Sequence, residues 1–170
     1  MDERELDWPN WHLWWSDERD VPPHDELSNE KLARDTLLSK VSVPEEQIHP
    51  LRSMDVELPA RFDLILLGIG PDGHTASLFN GPDLQDALDA PKARRAVGVM
   101  PDPMPEDAPV PRITLTRAAI LSARTVLFTL TGSEKRELLE RAIEDGQSSK
   151  LPVGRLLAEA EQPIDIHWAP

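Results

Sequence analysis

Residues 62–79 constrain the fold of this chain more than any other segment. They contain the continuous apolar run Leu64–Leu67, which is followed by a turn with three glycines between positions 68 and 73. An uninterrupted apolar run of this length is typical of a parallel strand that is covered on both faces. Glycine permits a tight turn and the close approach of a ligand to the backbone. The segment therefore predicts a buried strand, a turn and a helix that opens near His74.

The turn also contains residues that can carry chemistry, since Asp72 and His74 lie within it. Histidine titrates near neutral pH and suits a general base, and the free N–H groups of a helix N-terminus favour anions. Ligands of α/β enzymes bind at the carboxyl ends of parallel strands. The alternatives are a helix-capping role for His74 and an Asx turn at Asp72. We favour a catalytic loop.

Strand-like and helix-like segments alternate along the rest of the chain. The predicted strands cover residues 11–15, 62–68, 96–100, 125–130 and 164–168, and the predicted helices cover 28–39, 118–122, 134–145 (capped by Ser133) and 152–160. This alternation predicts an α/β fold, with a doubly wound, mostly parallel sheet flanked by helices, in a single domain over residues 1–170. The carboxyl ends of the strands should then gather residues 17–19, 72–74 and 131–135 into one cleft.

Composition excludes several classes of protein. The 170 residues contain no cysteine, so disulfides and thiolate metal sites are excluded, and a cytoplasmic location is expected. The formal net charge of −13 argues against a nucleic-acid partner. The longest apolar run is too short to span a membrane, and the acidic N-terminus does not resemble a signal peptide. No metal site is expected, because the remaining histidines lack ligand spacing: His12, His24, His49 and His167.

Three cationic residues are candidate anion contacts. Arg19 follows the first predicted strand and suits a phosphate or a developing oxyanion, although a salt bridge with Asp17 or Glu18 is the alternative. Lys135 lies in the first turn of a predicted helix, where the helix dipole disfavours a cation, so an anionic ligand would explain it. An exposed lysine is the alternative there. Arg112 is a weaker candidate.

Comparison with two common motifs argues against a dinucleotide site and against a serine nucleophile. The spacing of Gly68, Gly70 and Gly73 formally matches the dinucleotide fingerprint, but Asp72 would place a carboxylate where pyrophosphate should lie. A nicotinamide-dependent oxidoreductase is therefore a third hypothesis, and we expect no cofactor. The chain contains no G-x-S-x-G elbow, so water is a better candidate nucleophile than a serine.

Taken together, five segments resemble the 6-phosphogluconolactonase family, in the family's order and over nearly the whole chain. They are Ser16-Asp17-Glu18-Arg19-x-Val21-Pro22, Ser28-Asn29, residues 67–79 around Asp72-Gly73-His74, Arg112-Ile113-Thr114-Leu115-Thr116 and Thr131-Gly132-x-x-Lys135. The related glucosamine-6-phosphate deaminases share the Asp-Gly-His core. They differ after it, where this chain has Thr75-Ala76-Ser77-Leu78.

The resemblance implies a Rossmann-like fold and the cofactor-free hydrolysis of 6-phospho-D-glucono-1,5-lactone to 6-phosphogluconate in the pentose phosphate pathway. By motif position, His74 would deprotonate the attacking water, Asp72 would position His74 or the sugar, and Arg19 would stabilise the oxyanion. The remaining residues of the implied site would contact the phosphate or the sugar: Lys135, Arg112, Asn29, Gly70 and Gly73.

The chain departs from the family at its N-terminus. Family members begin with a further strand that ends in a Gly-Gly-Ser-Thr-Pro loop, and this sequence has no such segment. A missing central strand predicts exposed sheet edges, and hence self-association or a compensating partner. A non-catalytic sugar-phosphate binder is accordingly the second hypothesis, and loss of activity in a His74→Ala variant would argue against it.

Overall fold

The computed structural model describes residues 6–170, and this part of the chain forms eight strands and five α-helices. The strands are β1 (Leu13–Trp14), β2 (Asp17–Arg19), β3 (Ile48–His49), β4 (Leu64–Leu67), β5 (Ala96–Val99), β6 (Arg112–Leu115), β7 (Thr125–Thr131) and β8 (Ile164–Ala169). The helices are α1 (Asn29–Ala33, continued by a π-helical segment at Arg34–Leu38), α2 (Leu84–Asp89), α3 (Arg117–Ile120), α4 (Ser133–Asp145) and α5 (Pro152–Leu157).

The strands form three small sheets. β4, β7 and β8 form a parallel sheet in the order β4-β7-β8, and β1 pairs in parallel with β3. The predicted α/β class, with parallel strands flanked by helices, is confirmed. The third sheet, β2-β6-β5, is antiparallel and was not predicted. Loop 101–111 joins β5 to β6 without a helix, so the two strands can lie side by side in opposite directions.

The main core lies between the parallel sheet and helices α2–α5. Val126 and Phe128 of β7 are fully buried, and they belong to one apolar cluster with Ile65 and Leu67 of β4. The helices contribute a further set of buried side chains: Leu84, Ala87, Leu88, Ala119, Ile120, Leu139, Ala142, Val153 and Leu156. This packing holds the carboxyl end of β4, and with it the loop that follows.

The prediction that β4 is covered on both faces is wrong. Ile65 and Leu67 are buried, but Leu64 is 44% exposed and Leu66 is 57% exposed on the opposite face. The continuous apolar run thus shows that both faces of the strand are apolar, which does not require both faces to be buried. Only one of those faces packs against other elements of the described chain.

The prediction that a helix opens near His74 is also wrong. Residues 71–80 form consecutive tight turns, Thr75 bridges to Leu78, and α2 begins only at Leu84. Two local interactions favour the turns. The Thr75 hydroxyl donates to the carbonyl of Gly68 (2.9 Å), and the Ser77 backbone N–H donates to the Thr114 hydroxyl (3.2 Å). These bonds fix the loop to β4 and β6 instead of to a helix of its own.

Glu18 joins β2 to α1 and carries an unusual number of hydrogen bonds for a carboxylate. It is 5% exposed and accepts from the backbone N–H groups of Arg19, Asn29 and Glu30 and from the Ser28 hydroxyl. Two of these N–H groups belong to the first turn of α1, where no backbone acceptor is available. Glu18 therefore fixes the orientation of β2 against α1.

Replacing Glu18 with alanine should destabilise the protein markedly. The change leaves buried donors without an acceptor, which costs about 3 kcal/mol of unfolding free energy, or roughly 6–12 °C in melting temperature for a chain of this size. Thermal unfolding followed by circular dichroism measures the shift. The exposed Glu57 provides a matched control, since Glu57→Ala should leave the melting temperature nearly unchanged. Equal melting temperatures for the two variants would contradict the assignment.

Stacked rings support the pairing of β1 with β3. The His49 ring lies 3.9 Å from the Trp14 ring between centroids, and His12 Nδ1 is 2.9 Å from His49 Nε2. Burial, followed by the charge of His12, lowers the pKa of His49 below its ordinary value of 6.5. A lowered pKa means that the unfolded chain binds a proton more readily than the folded chain below about pH 6.5.

The contribution of His49 to the free energy of unfolding should therefore be fully present above pH 6.5 and should decline as the pH falls below that value. We expect the melting temperature to drop between pH 7 and pH 5.5, and to drop less in His49→Gln. The exposed His24 supplies the control, because His24→Gln should keep the full decline. A pH dependence that is identical in all three proteins would contradict this role for His49.

Candidate active site

The loop after β4 places a histidine and a carboxylate in direct contact. His74 Nδ1 lies 2.5 Å from Asp72 Oδ1, and the backbone N–H of His74 donates to the same oxygen (3.2 Å). An ionised carboxylate can only accept, so Nδ1 donates this hydrogen bond, and in a neutral imidazole Nε2 then keeps its lone pair. The His74 ring also packs on the ring of Phe79, with centroids 4.2 Å apart. The contact with Asp72 thus fixes the orientation of the imidazole.

Two glycines make room for this arrangement. A Cβ atom on Gly70 would lie 2.1 Å from Cε1 of His74, so the imidazole can occupy its place only if position 70 is glycine. Gly73 has a φ of +80°, and a Cβ there would lie 2.9 Å from the side chain of Leu151. Both residues therefore shape the loop and position His74. Their predicted contact with a substrate stays a prediction.

His74 opens onto a cavity of about 290 Å³ that Asp17 and Ser16 also line. Asp17 accepts a hydrogen bond from the Ser77 hydroxyl (2.7 Å), which ties β2 to the loop that holds His74. The sequence predicted that residues 17–19 reach this cleft, but it did not single out Asp17 as a site residue. The available signal was that Asp17 lies in a polar segment directly after a predicted aromatic strand.

Arg19 lies in a different cavity, of about 190 Å³, together with Glu18, Glu30 and Arg52. This cavity shares no lining residue with the cavity of His74. The Nε atom of Arg19 is buried and has no hydrogen-bond partner among residues 6–170. Asp17, but not Arg19, therefore lines the cavity onto which His74 opens, and the role of Arg19 at an oxyanion stays a prediction.

Arg112 and Asn29 both have partners within the protein. Arg112 pairs with Arg19 across β2 and β6, is 4% exposed, and donates to the carbonyls of Val110 and Ala108. Burial, and then the neighbouring charge of Arg19, lower the pKa of its guanidinium. The Asn29 amide donates to the backbone carbonyl of Asp17 (3.0 Å) and so holds the strand that carries this carboxylate. Substrate contacts by either residue stay predictions.

Lys135 lines a third cavity, of about 410 Å³, with Thr131, Gly68 and His167. Gly68 and Ile69 line this cavity and the cavity of His74, so the two adjoin at the carboxyl end of β4. Lys135 is half-buried and forms no ion pair in the described part of the chain. The sequence had assigned His167 to the surface or to packing; it is exposed, and it also lines this cavity.

Helix α4, which carries Lys135, begins one residue earlier than the sequence suggested. Gly132, with a φ of +84°, is the N-cap, and Ser133 is the first helical residue, so the predicted capping by Ser133 is wrong. A glycine at this point lets the chain turn sharply from β7 into α4. The turn places Lys135 over the carboxyl end of the parallel sheet.

Comparison with known proteins places this geometry in a family. The model of the glucosamine-6-phosphate isomerase/6-phosphogluconolactonase family matches residues 1–168. The chain belongs to this family. The 6-phosphogluconolactonase of Rhizobium meliloti is 35% identical over 185 residues, which cover 100% of this chain and 78% of that protein. The resemblance drawn from the sequence is confirmed.

Solved structures of family members share the fold. The 6-phosphogluconolactonase of Shewanella baltica superposes with a TM-score of 0.79 and 29% identity, over 98% of this chain and 75% of that one. A monomeric glucosamine-6-phosphate deaminase, 17% identical with a TM-score of 0.73, shares the fold alone. The family members are longer than this chain, which spans 52% of a probable chloroplastic 6-phosphogluconolactonase of rice (36% identical over 87% of this chain).

Residues 6–170 lack both a cluster of metal-ligating side chains and a membrane-spanning helix. No group of three or more histidine, aspartate or glutamate side chains is arranged to hold a metal ion. Over the same residues, no helix has the length and apolar character needed to cross a membrane.

Proposed function

We propose that this family member hydrolyses 6-phospho-D-glucono-1,5-lactone to 6-phosphogluconate, a step of the pentose phosphate pathway. The observation that carries the proposal is the Asp72–His74 pair, which opens onto a cavity adjoining the one that Lys135 lines. Its relatives in Rhizobium meliloti and Mycobacterium leprae are named 6-phosphogluconolactonase, and they support the choice of reaction within the family.

In this proposal the free Nε2 atom of His74 takes a proton from water while the water oxygen bonds to the lactone carbonyl carbon. The carbonyl oxygen becomes an oxyanion, and Asp72 stabilises the imidazolium that forms. Collapse of the oxyanion breaks the bond from the carbonyl carbon to the ring oxygen, which leaves with the proton that His74 returns. The acid product then ionises. No cofactor enters this sequence.

The charged groups around the cleft suit a phosphorylated substrate. Lys135 has no carboxylate partner in residues 6–170 and lies in the first turn of α4, where the helix dipole favours an anion. A sugar phosphate with its lactone carbon at His74 would extend over Gly68 toward this lysine. Lys135 is therefore the residue that distinguishes phosphorylated from unphosphorylated lactones.

A Lys135→Ala variant tests this assignment. Loss of a charged phosphate contact costs about 1.5–3 kcal/mol, so kcat/KM for 6-phosphogluconolactone should fall roughly 10- to 100-fold. The value for unphosphorylated glucono-1,5-lactone should not change, and the exposed Lys92 replaced by alanine should alter neither. An equal loss on both lactones would contradict a phosphate contact.

A non-catalytic sugar-phosphate binder is the second candidate. The lining of the cavity of His74 favours it, because no arginine is among the residues of the described chain that line this cavity. The intact Asp72–His74 pair favours hydrolysis. A binder should retain its affinity for 6-phosphogluconate when His74 is replaced by alanine and should show no turnover before the replacement.

The proposal includes the setting in which the protein acts. The absence of cysteine from the sequence supports a cytoplasmic location, and the net charge of −13 supports the absence of a nucleic-acid partner. The exposed Leu64 and Leu66 of β4 support contact with another polypeptide, either a second copy or a different partner.

A further inference from the structure

Strand β8 gives the sheet β4-β7-β8 an edge that is open to pairing. It pairs with β7 and has no second neighbour in residues 6–170. With six residues, it is the longest strand with an unpaired edge in this part of the chain. Pro163 and Pro170 flank it, but no proline or lysine lies within it. Because these two residue types commonly protect a strand edge from association, β8 remains available to another strand.

One hydrogen bond shows which backbone groups of β8 face the open edge. The backbone N–H of Gly132, directly after β7, donates to the carbonyl of Ala169 (2.9 Å), so the polar groups of Ala169 face β7. The direction of these groups alternates along a strand. The backbone N–H and C=O groups of three residues of β8 therefore face the open edge: Ile164, Ile166 and Trp168.

The side chains beside this edge are largely apolar. Ile166 is 42% exposed and Trp168 is 37% exposed. The guanidinium of Arg136, in α4, lies over the Trp168 ring (4.8 Å). Ile143 follows Arg136 by two helical turns, which places it on the same side of α4, and it is 48% exposed. The apolar surface thus continues from the strand onto the neighbouring helix.

The sequence of β8 is complementary to itself in the antiparallel direction. In a pair centred on Ile166, Asp165 of each copy lies opposite His167 of the other copy, and Ile164 lies opposite Trp168. Asp165 and His167 then occupy non-hydrogen-bonded positions, where the Cα atoms are about 4.5 Å apart and the side chains come closest. An imidazole N–H can donate to the carboxylate there. The symmetry of the pair provides this contact twice.

Other registers of the same two strands are less favourable. A slip of two residues places Asp165 opposite Asp165 in one direction and His167 opposite His167 in the other. A slip of one residue sets the edge-facing groups of one strand against residues whose polar groups point away, so no ladder forms. The backbone ladder and the side-chain pairs therefore agree only in the register centred on Ile166.

We propose that two copies of this chain associate through their β8 edges, antiparallel and centred on Ile166. The two three-stranded parallel sheets then form one six-stranded sheet in the order β4-β7-β8-β8-β7-β4. This interface lies on the opposite edge of the sheet from β4, whose Leu64 and Leu66 take no part in it. The association does not depend on the proposed activity, so it can be tested without turnover.

The test measures the mass of the full chain by light scattering and sedimentation as a function of protein concentration. We expect a reversible equilibrium between monomer and dimer. Amide hydrogen exchange, followed by NMR, should slow at least about 10-fold in the dimer at the three edge-facing residues, Ile164, Ile166 and Trp168, because their N–H groups become bonded. Exchange at Leu64 and Leu66 of β4 should be the same in monomer and dimer.

An exchange of two residues tests the register. His167→Asp sets carboxylates opposite each other at both symmetric positions, so the dissociation constant of the dimer should rise at least about 10-fold. The combined variant Asp165→His/His167→Asp has the composition of the parent and restores both pairs, so it should recover most of the affinity. Ile166→Lys, at the centre of the pair, should also weaken the dimer, whereas Leu64→Lys on β4 should not.

Several results would overturn the proposal. A folded protein that stays monomeric from micromolar to millimolar concentration would exclude the association. A dimer in which the edge-facing amides of β8 exchange as fast as in the monomer would place the interface elsewhere. A combined variant as weak as His167→Asp would exclude the register. Loss of the dimer in Leu64→Lys, but not in Ile166→Lys, would assign the interface to β4.

Discussion

A His74→Ala variant should lose almost all enzyme-dependent hydrolysis of 6-phosphogluconolactone. General-base catalysis by a positioned histidine contributes about 10²–10⁴ to a rate, and the variant removes the imidazole that contacts Asp72. Under the proposed function the loss should appear in kcat, because the variant leaves Lys135, the proposed phosphate contact, unchanged. The rate is measured by coupling 6-phosphogluconate to its dehydrogenase, with the spontaneous opening of the lactone subtracted.

His24 supplies the matched control for this experiment. It is an exposed histidine that lines none of the cavities described above, so His24→Ala should retain the parent rate. The melting temperature of His74→Ala should remain within a few degrees of the parent value, since the ring is partly exposed and packs mainly on Phe79. A folded His74→Ala protein with the parent kcat would exclude His74 as the base.

The second large effect is expected at Gly70, where an alanine should displace the His74 imidazole and lower the activity although His74 itself is unchanged. The added Cβ would overlap the imidazole, at 2.1 Å from Cε1 and 2.3 Å from Nδ1, and would lie 2.9 Å from Asp72 Oδ1. The ring must move by an ångström or more, and a displacement of that size costs about 10²-fold in rate. We therefore expect kcat to fall on that order while the circular dichroism spectrum stays unchanged.

A glycine at which an added Cβ would make only ordinary van der Waals contacts controls for the substitution itself. Gly98 of β5 would place its Cβ no closer than 3.4 Å to its neighbours, where it meets the flexible sulfur of Met54. Gly98→Ala should therefore keep the parent activity. If Gly70→Ala also kept it, the packing of His74 against Gly70 would have no part in positioning the base.

The sequence predicted the contact between Asp72 and His74 better than it predicted the shape of the loop. Asp72 and His74 are in contact as expected, because residues two apart in a tight glycine-rich turn can meet through local geometry alone. The helix expected at His74 does not form, since Thr75 and Ser77 bond to β4 and β6. Those partners are distant in the chain, so local pattern could not reveal them.

The same distinction between local and distant contacts explains the rest of the site. The helical segment that begins at Asn29, and helix α4, were foreseen to within a few residues, because their apolar residues recur within each segment. The pairing of β2 with β6, which sets Arg19 opposite Arg112, joins segments that are distant in the chain, so no local sequence signal indicates it. The exposure of Leu64 and Leu66 likewise depends on what packs against β4. A continuous apolar run does not show which face of a strand other elements cover.

The most direct test of lactone hydrolysis by this chain is the turnover of 6-phosphogluconolactone by the unmodified protein. The lactone is generated in situ, and 6-phosphogluconate formation is followed in the coupled assay at several protein concentrations. A rate above spontaneous ring opening that rises in proportion to protein and saturates with lactone is the predicted result. A folded protein that forms 6-phosphogluconate no faster than buffer would contradict the proposed hydrolysis.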